Sequence, residues 1–193
     1  MRIIGGAAKG RRLSVPKGHA VRPTAARVKD SLFNILPRDF SGVKVLDLFA
    51  GTGNLSIEAL SRGADRALLV DASARSGAAM KDNLRRLGFA AQSEVWVAPV
   101  SRSLRTLGRR KESFDLIFLD PPYDRGLAGR SLEIIAECRL LRETGTLVIE
   151  HSARETLQPR YGSLQLHDQR RYGDTRLSFY RGAAGNTKEF ITK

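Results

Sequence analysis

At 193 residues and 41% hydrophobic content, the chain can bury one sizeable core and is short for two, so one catalytic domain is expected. A single cysteine, Cys138, rules out a disulfide framework, and no apolar run approaches membrane-spanning length, so the chain is read as soluble and cytoplasmic, with no membrane partner. A formal net charge of +13 favours polyanionic partners, nucleic acid first among them.

The amino terminus, Met1 to Gly6, is basic but lacks the continuous apolar stretch and small-residue cleavage site of a secretory signal. Residues 1 to 44 hold ten Lys or Arg against Asp30 and Asp39, which concentrates +8 of the +13 at this end. Alternation around Arg2-Ile3-Ile4 and Arg11 to Val15, with glycines between, predicts a small hairpin with a cationic outer face. Arg22-Pro23-Thr24 then reads as a helix entry: proline disfavours helix in the residue before it, Thr24 can cap, and Val28, Leu32 and Ile35 keep helical spacing up to Pro37. A change of texture near Ser41-Gly42 marks a boundary, giving a basic extension over 1–41 and a catalytic domain over 42–183, with 184–193 expected to be a disordered tail.

From Lys44 onward, strand, glycine turn and helix recur, the pattern of a parallel sheet covered by helices on both faces. Strands are predicted at 43–49, 66–70, 94–97, 114–119 and 145–150, with helices at 55–62, 74–87, 101–107 and 129–137. Two further alternating stretches, 164–171 and 175–181, flank Tyr172-Gly173-Asp174 and should close the sheet as an antiparallel hairpin, making seven strands. Trp96 falls in an apolar strand pattern and is read as packing. His19, His151 and His167 are scattered, without ligand spacing to Cys138, so no metal site is expected.

Two runs carry chemistry. Asp47-Leu48-Phe49-Ala50-Gly51-Thr52-Gly53-Asn54 takes a buried strand through a glycine turn into a helix, where backbone amides lie open to a ligand. Asp71, at the end of the second strand, is placed to hold ribose hydroxyls, so an adenosine-containing cofactor fits. Ser56 stands where the dinucleotide fingerprint has its third glycine, which disfavours nicotinamide cofactors. Asp47 can either meet the cationic amino-acid end of S-adenosylmethionine or brace the loop. The second run ends the fourth strand in Asp120-Pro121-Pro122-Tyr123. Two prolines hold a rigid extended loop whose carbonyls are acceptors. Asp120 and the Pro121 carbonyl can take the N–H bonds of an exocyclic amine, and Tyr123 can stack on an extracted base.

These motifs resemble the class I methyltransferases with an Asp-Pro-Pro-Tyr motif, and within them the bacterial small-subunit rRNA guanine-N2 methyltransferases. The resemblance rests on Arg2-Ile3-Ile4-Gly5-Gly6, on Arg22-Pro23-Thr24 through Arg27-Val28 to Leu32-Phe33-Asn34, on the 47–53 loop and on Asp120 to Tyr123. It implies a Rossmann-like α/β fold and S-adenosylmethionine as cofactor, held by Asp47, Phe49, Ala50, Gly51, Thr52, Gly53, Asn54 and Asp71. It further implies methyl transfer to N2 of a guanine in 16S rRNA, within an assembling small subunit and by a monomer. Where such enzymes carry Asp or Asn near the adenine, this chain has Val97-Ala98-Pro99-Val100. Arg2, Lys9, Arg11, Arg12, Arg22, Arg27 and Lys29 are the candidate RNA contacts, by their density. A DNA adenine-N6 or cytosine-N4 methyltransferase and a non-catalytic basic nucleotide-binding module stay open as alternatives. The chain's length leaves the first of these little room for a target-recognition domain.

Overall fold

A computed structural model describes residues 1–15, 23–123 and 126–182; the expected tail at 184–193 lies outside them. In chain order the elements are α1 (Pro23–Ile35), β1 (Lys44–Leu48), α2 (Asn54–Ser61), β2 (Arg66–Asp71), α3 (Ala74–Leu87), β3 (Ser93–Val97), α4 (Val100–Arg109), β4 (Phe114–Leu119), α5 (Leu127–Glu137), β5 (Leu141–Ser152), β6 (Arg160–Tyr161), β7 (Leu164–Tyr172) and β8 (Thr175–Gly182). One sheet runs in the order β3-β2-β1-β4-β5-β8-β7-β6. Strands β1 to β5 pair in parallel, and β5–β8, β8–β7 and β7–β6 pair antiparallel. The α/β architecture with its closing hairpin is thus the one expected from sequence. The sheet has eight strands rather than seven, because β6 contributes one two-residue rung against Leu164 and Gln165, too short to show alternation.

The central strands are apolar on both sides and divide the core in two. Val45, Leu69, Leu116 and Phe118 face one side, where α1, α2 and α3 pack through Val28, Leu32, Ile57, Met80 and Leu84. Leu46, Leu48, Ile117 and Ile149 face the other, under Leu104 and Leu107 of α4 and Leu132 and Ile135 of α5. Burying each such side chain contributes roughly 1.5–3 kcal/mol. Phe118 is fully buried against Phe33 of α1, with ring centroids 5.9 Å apart.

The basic amino-terminal segment shares this core through Ile3, Ala8 and Leu13, so the change of texture at residue 41 is no break in packing. Its predicted hairpin is reduced to a single bridge between Arg2 and Arg12, with Ile3 donating to the Arg11 carbonyl at 3.0 Å and Leu13 to that of Met1 at 3.1 Å. The amides that would extend a ladder are spent on α2 instead, since each buried donor needs one partner. Ile4 and Gly5 donate to the Glu58 carboxylate, Ala7 to the Ser61 carbonyl and Ala8 to Ser61 Oγ. Gly6 is required at this approach: its φ is +73°, and a Cβ there would sit 1.6 Å from the Ser61 oxygen.

Candidate active site

In an open parallel sheet the ligand crevice lies beyond the carboxyl ends of the strands. Strands β1 and β4 are neighbours, with Leu48 beside Leu119, so the 49–53 loop and the Asp120–Tyr123 run leave the same edge together. The Asp120 amide donates to the Leu48 carbonyl at 3.3 Å and ties the two segments. Asp71 ends β2 on the same edge.

The turn after β1 is held under conformational strain. Phe49 adopts φ +60°, left-handed backbone that a side chain disfavours, and Gly51 (φ +56°) and Gly53 (φ +78°) follow. The Gly51 position faces open space, since a Cβ there would meet nothing within 4 Å, which leaves room for a ligand against its backbone. Asp71 fixes the turn by accepting from the Gly51 amide at 2.9 Å through one oxygen and from the Ser73 amide at 2.8 Å through the other. Asp47 is buried and accepts from both the amide (3.1 Å) and the hydroxyl (2.8 Å) of Ser56 in the first turn of α2. Of its two expected roles, bracing the loop is the one these hydrogen bonds perform. Burial pushes the Asp47 carboxyl up to about 7, against the opposing effect of the Ser56 hydrogen bonds.

In the run after β4, Pro121 is buried, Asp120 and Pro122 are exposed, and the Tyr123 ring lies half-buried. The Tyr123 hydroxyl donates to Glu150 Oε1 of β5 at 3.0 Å and lies 3.1 Å from Thr175 Oγ1 of β8. The ring is therefore aimed by its far end, from strands remote in sequence. Burial raises the Tyr123 pKa, and the Glu150 carboxylate adds to the rise, so the hydroxyl stays protonated.

The candidate RNA contacts separate into two groups. Arg2, Lys9, Arg11, Arg12 and Arg27 are exposed; Arg22 lies outside the described residues. Lys29 is a correction: it is only 5% exposed and serves the interior. Its ammonium pairs with Glu58 Oε2 at 2.9 Å and donates to Asn54 Oδ1 at 2.8 Å and to the Arg2 carbonyl at 3.1 Å, so no donor is left facing solvent. Desolvation lowers its pKa, with Glu58 acting to raise it. Asn54, expected as a loop member, is thereby held from α1. Asn83 makes a second tie: it exchanges hydrogen bonds with the Ser14 backbone (2.8 and 3.0 Å) and donates to the Thr52 carbonyl at 3.1 Å. The amino-terminal segment is thus tied to the 49–54 segment at two points, Asn54 and Thr52.

Other residues fall in ordinary structural roles. His151 is buried between the Ser152 carbonyl and Ser178 Oγ, and burial lowers its pKa. His167 is exposed, and His19 lies outside the described residues. Trp96 is half-buried on edge strand β3, with the Arg110 guanidinium 5.1 Å over its ring. In the 97–100 segment, which holds no carboxylate or carboxamide side chain, the Ala98 amide donates to the Asp71 carbonyl at 3.0 Å.

The family model described as "Conserved hypothetical protein 95" matches residues 1–181. The chain belongs to this family. It is 38% identical to YlbH of Bacillus subtilis over 181 residues, 94% of this chain and 98% of that protein. It is 30% identical to ribosomal RNA small subunit methyltransferase D of Escherichia coli over 184 residues, 95% of this chain and 91% of that one. The solved structure of yhhF from Escherichia coli superposes with a TM-score of 0.83 at 30% identity, covering 96% of this chain and 99% of that one. The family match spans the amino-terminal segment as well as the sheet, in keeping with the core layer they share.

Sequence reasoning missed Glu58, Asn83, Glu150 and Thr175. Glu58 alone left a trace: it is the one charge in the run Leu55 to Ser61, and a carboxylate inside such an apolar helix requires a partner from elsewhere.

Proposed function

We propose that this member of the conserved hypothetical protein 95 family transfers a methyl group from S-adenosylmethionine to the exocyclic N2 amine of a guanine in 16S rRNA, within an assembling small subunit. The observation that carries the reading is the convergence of the Gly51 turn, Asp71 and the Asp120–Tyr123 run on one edge of the sheet, bound together by the Asp120 to Leu48 hydrogen bond. The naming of an aligned relative as a small-subunit rRNA methyltransferase supports the choice of substrate.

The donor set suits the cofactor. Asp71 keeps an acceptor lone pair on each oxygen for ribose hydroxyls, and the open face at Gly51 admits close approach to backbone. Bound there, S-adenosylmethionine supplies an electrophilic methyl on a sulfonium. The chain's own residues prepare the acceptor. A guanine amine is a weak nucleophile because its lone pair is delocalised into the ring; acceptance of its N–H bonds by the Asp120 carboxylate and the Pro121 carbonyl favours a pyramidal, more nucleophilic nitrogen. Tyr123 stacks on the extracted base, and its tether to Glu150 and Thr175 fixes the plane of stacking. Positioning of the two reactants is the main contribution to rate.

The test is incubation with labelled cofactor and undermethylated small-subunit RNA, small-subunit particles or duplex DNA, followed by nucleoside analysis. Label in N2-methylguanosine from the RNA or the particles, lost in Asp120→Ala with cofactor affinity kept, is expected. Label in N6-methyladenine or N4-methylcytosine from DNA, or no transfer at all, overturns the proposal.

A further inference from the structure

The sheet's second face carries a cationic groove that neither the glycine loop nor the amino-terminal segment uses. A cavity of about 780 Å³ opens between α4 and the end of α5, lined by Arg102, Arg105, Arg109 and Arg139, with Glu137 the one carboxylate among its walls. The first three arginines are spaced by three and four residues and so share one face of α4. All four are exposed, and among the described residues none forms an ion pair; Arg109 donates to Thr106 Oγ1 at 3.3 Å, which leaves most of its donors outward.

The placement of α4 gives this cluster direction. The helix starts at Val100, just past the carboxyl end of β3, and runs back toward the start of β4. It packs into the core layer opposite to the one shared by α1 and the amino-terminal segment. The groove therefore begins at the level of the crevice and descends the far face. Arg102 to Arg109 rises roughly 10 Å along the helix, the reach of about three phosphates at nucleic-acid spacing. Unpaired guanidinium forks are suited to bidentate recognition of phosphate oxygens.

Resting on the reading of the chain as an rRNA methyltransferase, we propose that the α4–α5 groove is a second RNA surface, which holds the phosphodiester backbone flanking the target base, so that substrate straddles both faces of the sheet.

The test compares Arg102→Glu/Arg105→Glu with a charge-matched control, Arg38→Glu/Arg66→Glu, whose side chains are exposed outside the groove. Binding of an unmodified 16S rRNA fragment is measured by fluorescence anisotropy across a salt series, with calorimetric cofactor affinity as the check on folding. The groove variant should bind roughly tenfold more weakly, with the slope of log affinity against log salt shallower by about 1.5, while the control changes little. Equal behaviour of the two variants overturns the proposal. So does unchanged binding of naked RNA with reduced methylation of particles, which assigns the groove to a ribosomal protein. Methylation of RNA by the unaltered protein in the same series separates failure of this inference from failure of the enzymatic reading.

Discussion

Glu58→Gln should loosen the amino-terminal segment and the 49–54 loop together. The Glu58 carboxylate is fully buried. Its Oε2 receives the Ile4 amide and the Lys29 ammonium, both at 2.9 Å, and its Oε1 receives the Gly5 amide at 2.8 Å and Arg62 Nε at 3.0 Å. Glutamine keeps the shape but turns one acceptor into a donor, which then faces two donors whichever way the amide is set. It also leaves Lys29 and Arg62, at 5% and 11% exposure, without their counter-charge. Breaking a buried pair by removing one partner costs about 3–5 kcal/mol, and in a domain of this size that lowers Tm by roughly 10 °C. Thermal unfolding followed by circular dichroism measures the drop. Limited trypsin digestion reports whether Lys9, Arg11 and Arg12 become cleavable before the core does. Lys29→Met should cost less, because Arg62 and two amides still satisfy Glu58, and the double variant should fall short of the summed single effects by at least about 1 kcal/mol. A Glu58→Gln protein within about 1 kcal/mol of the parent, or strictly additive variants, would refute the view that this carboxylate anchors the segment.

Asp47 has its pKa raised by burial to about 7, so its contribution to stability is complete below the unfolded value near 3.8 and is lost as pH rises through about 7. Asp47→Asn should therefore flatten the decline of Tm between pH 4 and 7, and an unaltered pH profile would count against it. Tyr123→Phe keeps the ring but frees it from Glu150 and Thr175, so kcat should fall several-fold with cofactor affinity intact. Tyr123→Ala should remove the stacking itself, about 1–3 kcal/mol read in kcat/KM for RNA. Gly6→Ala and Gly10→Ala form a matched pair. Both positions have positive φ, but a Cβ at Gly10 meets nothing within 4 Å, while at Gly6 it lands on the Ser61 carbonyl. The first should undock the segment, and the second should cost only about 1–2 kcal/mol of backbone strain in chemical denaturation.

What the sequence reveals of this protein divides by the range over which each feature is determined. The glycine turn and the Asp-Pro-Pro-Tyr run are legible because backbone restriction, an acid and a ring are specified within a few consecutive residues, and because parallel β-α repetition brings strand ends to one edge whatever the details. Lys29 shows the opposite case. As one more cation in a basic stretch it reads as an RNA contact; its actual partner, Glu58, lies on another helix, and only the packing of α1 against α2 sets the ammonium between that carboxylate and Asn54. Glu150 and Thr175 were hidden for the same reason. They are brought together by the antiparallel pairing of β5 with β8, which sets Ser152 beside Thr175, and a period-two pattern carries no information on which strand a hairpin joins. The positive charge of the amino-terminal stretch therefore divides into an exposed part and a buried one. Arg2 and Arg12 are exposed and Arg11 donates to the Arg86 carbonyl, whereas Lys29 and its carboxylate hold the strained loop at Asn54. A change in the position of the segment also acts on that loop, because Asn83 and Lys29 bind both. On the proposed reading of the segment as an RNA contact and of the loop as the cofactor site, these ties couple the two binding events, and each should change the other's affinity by the same factor.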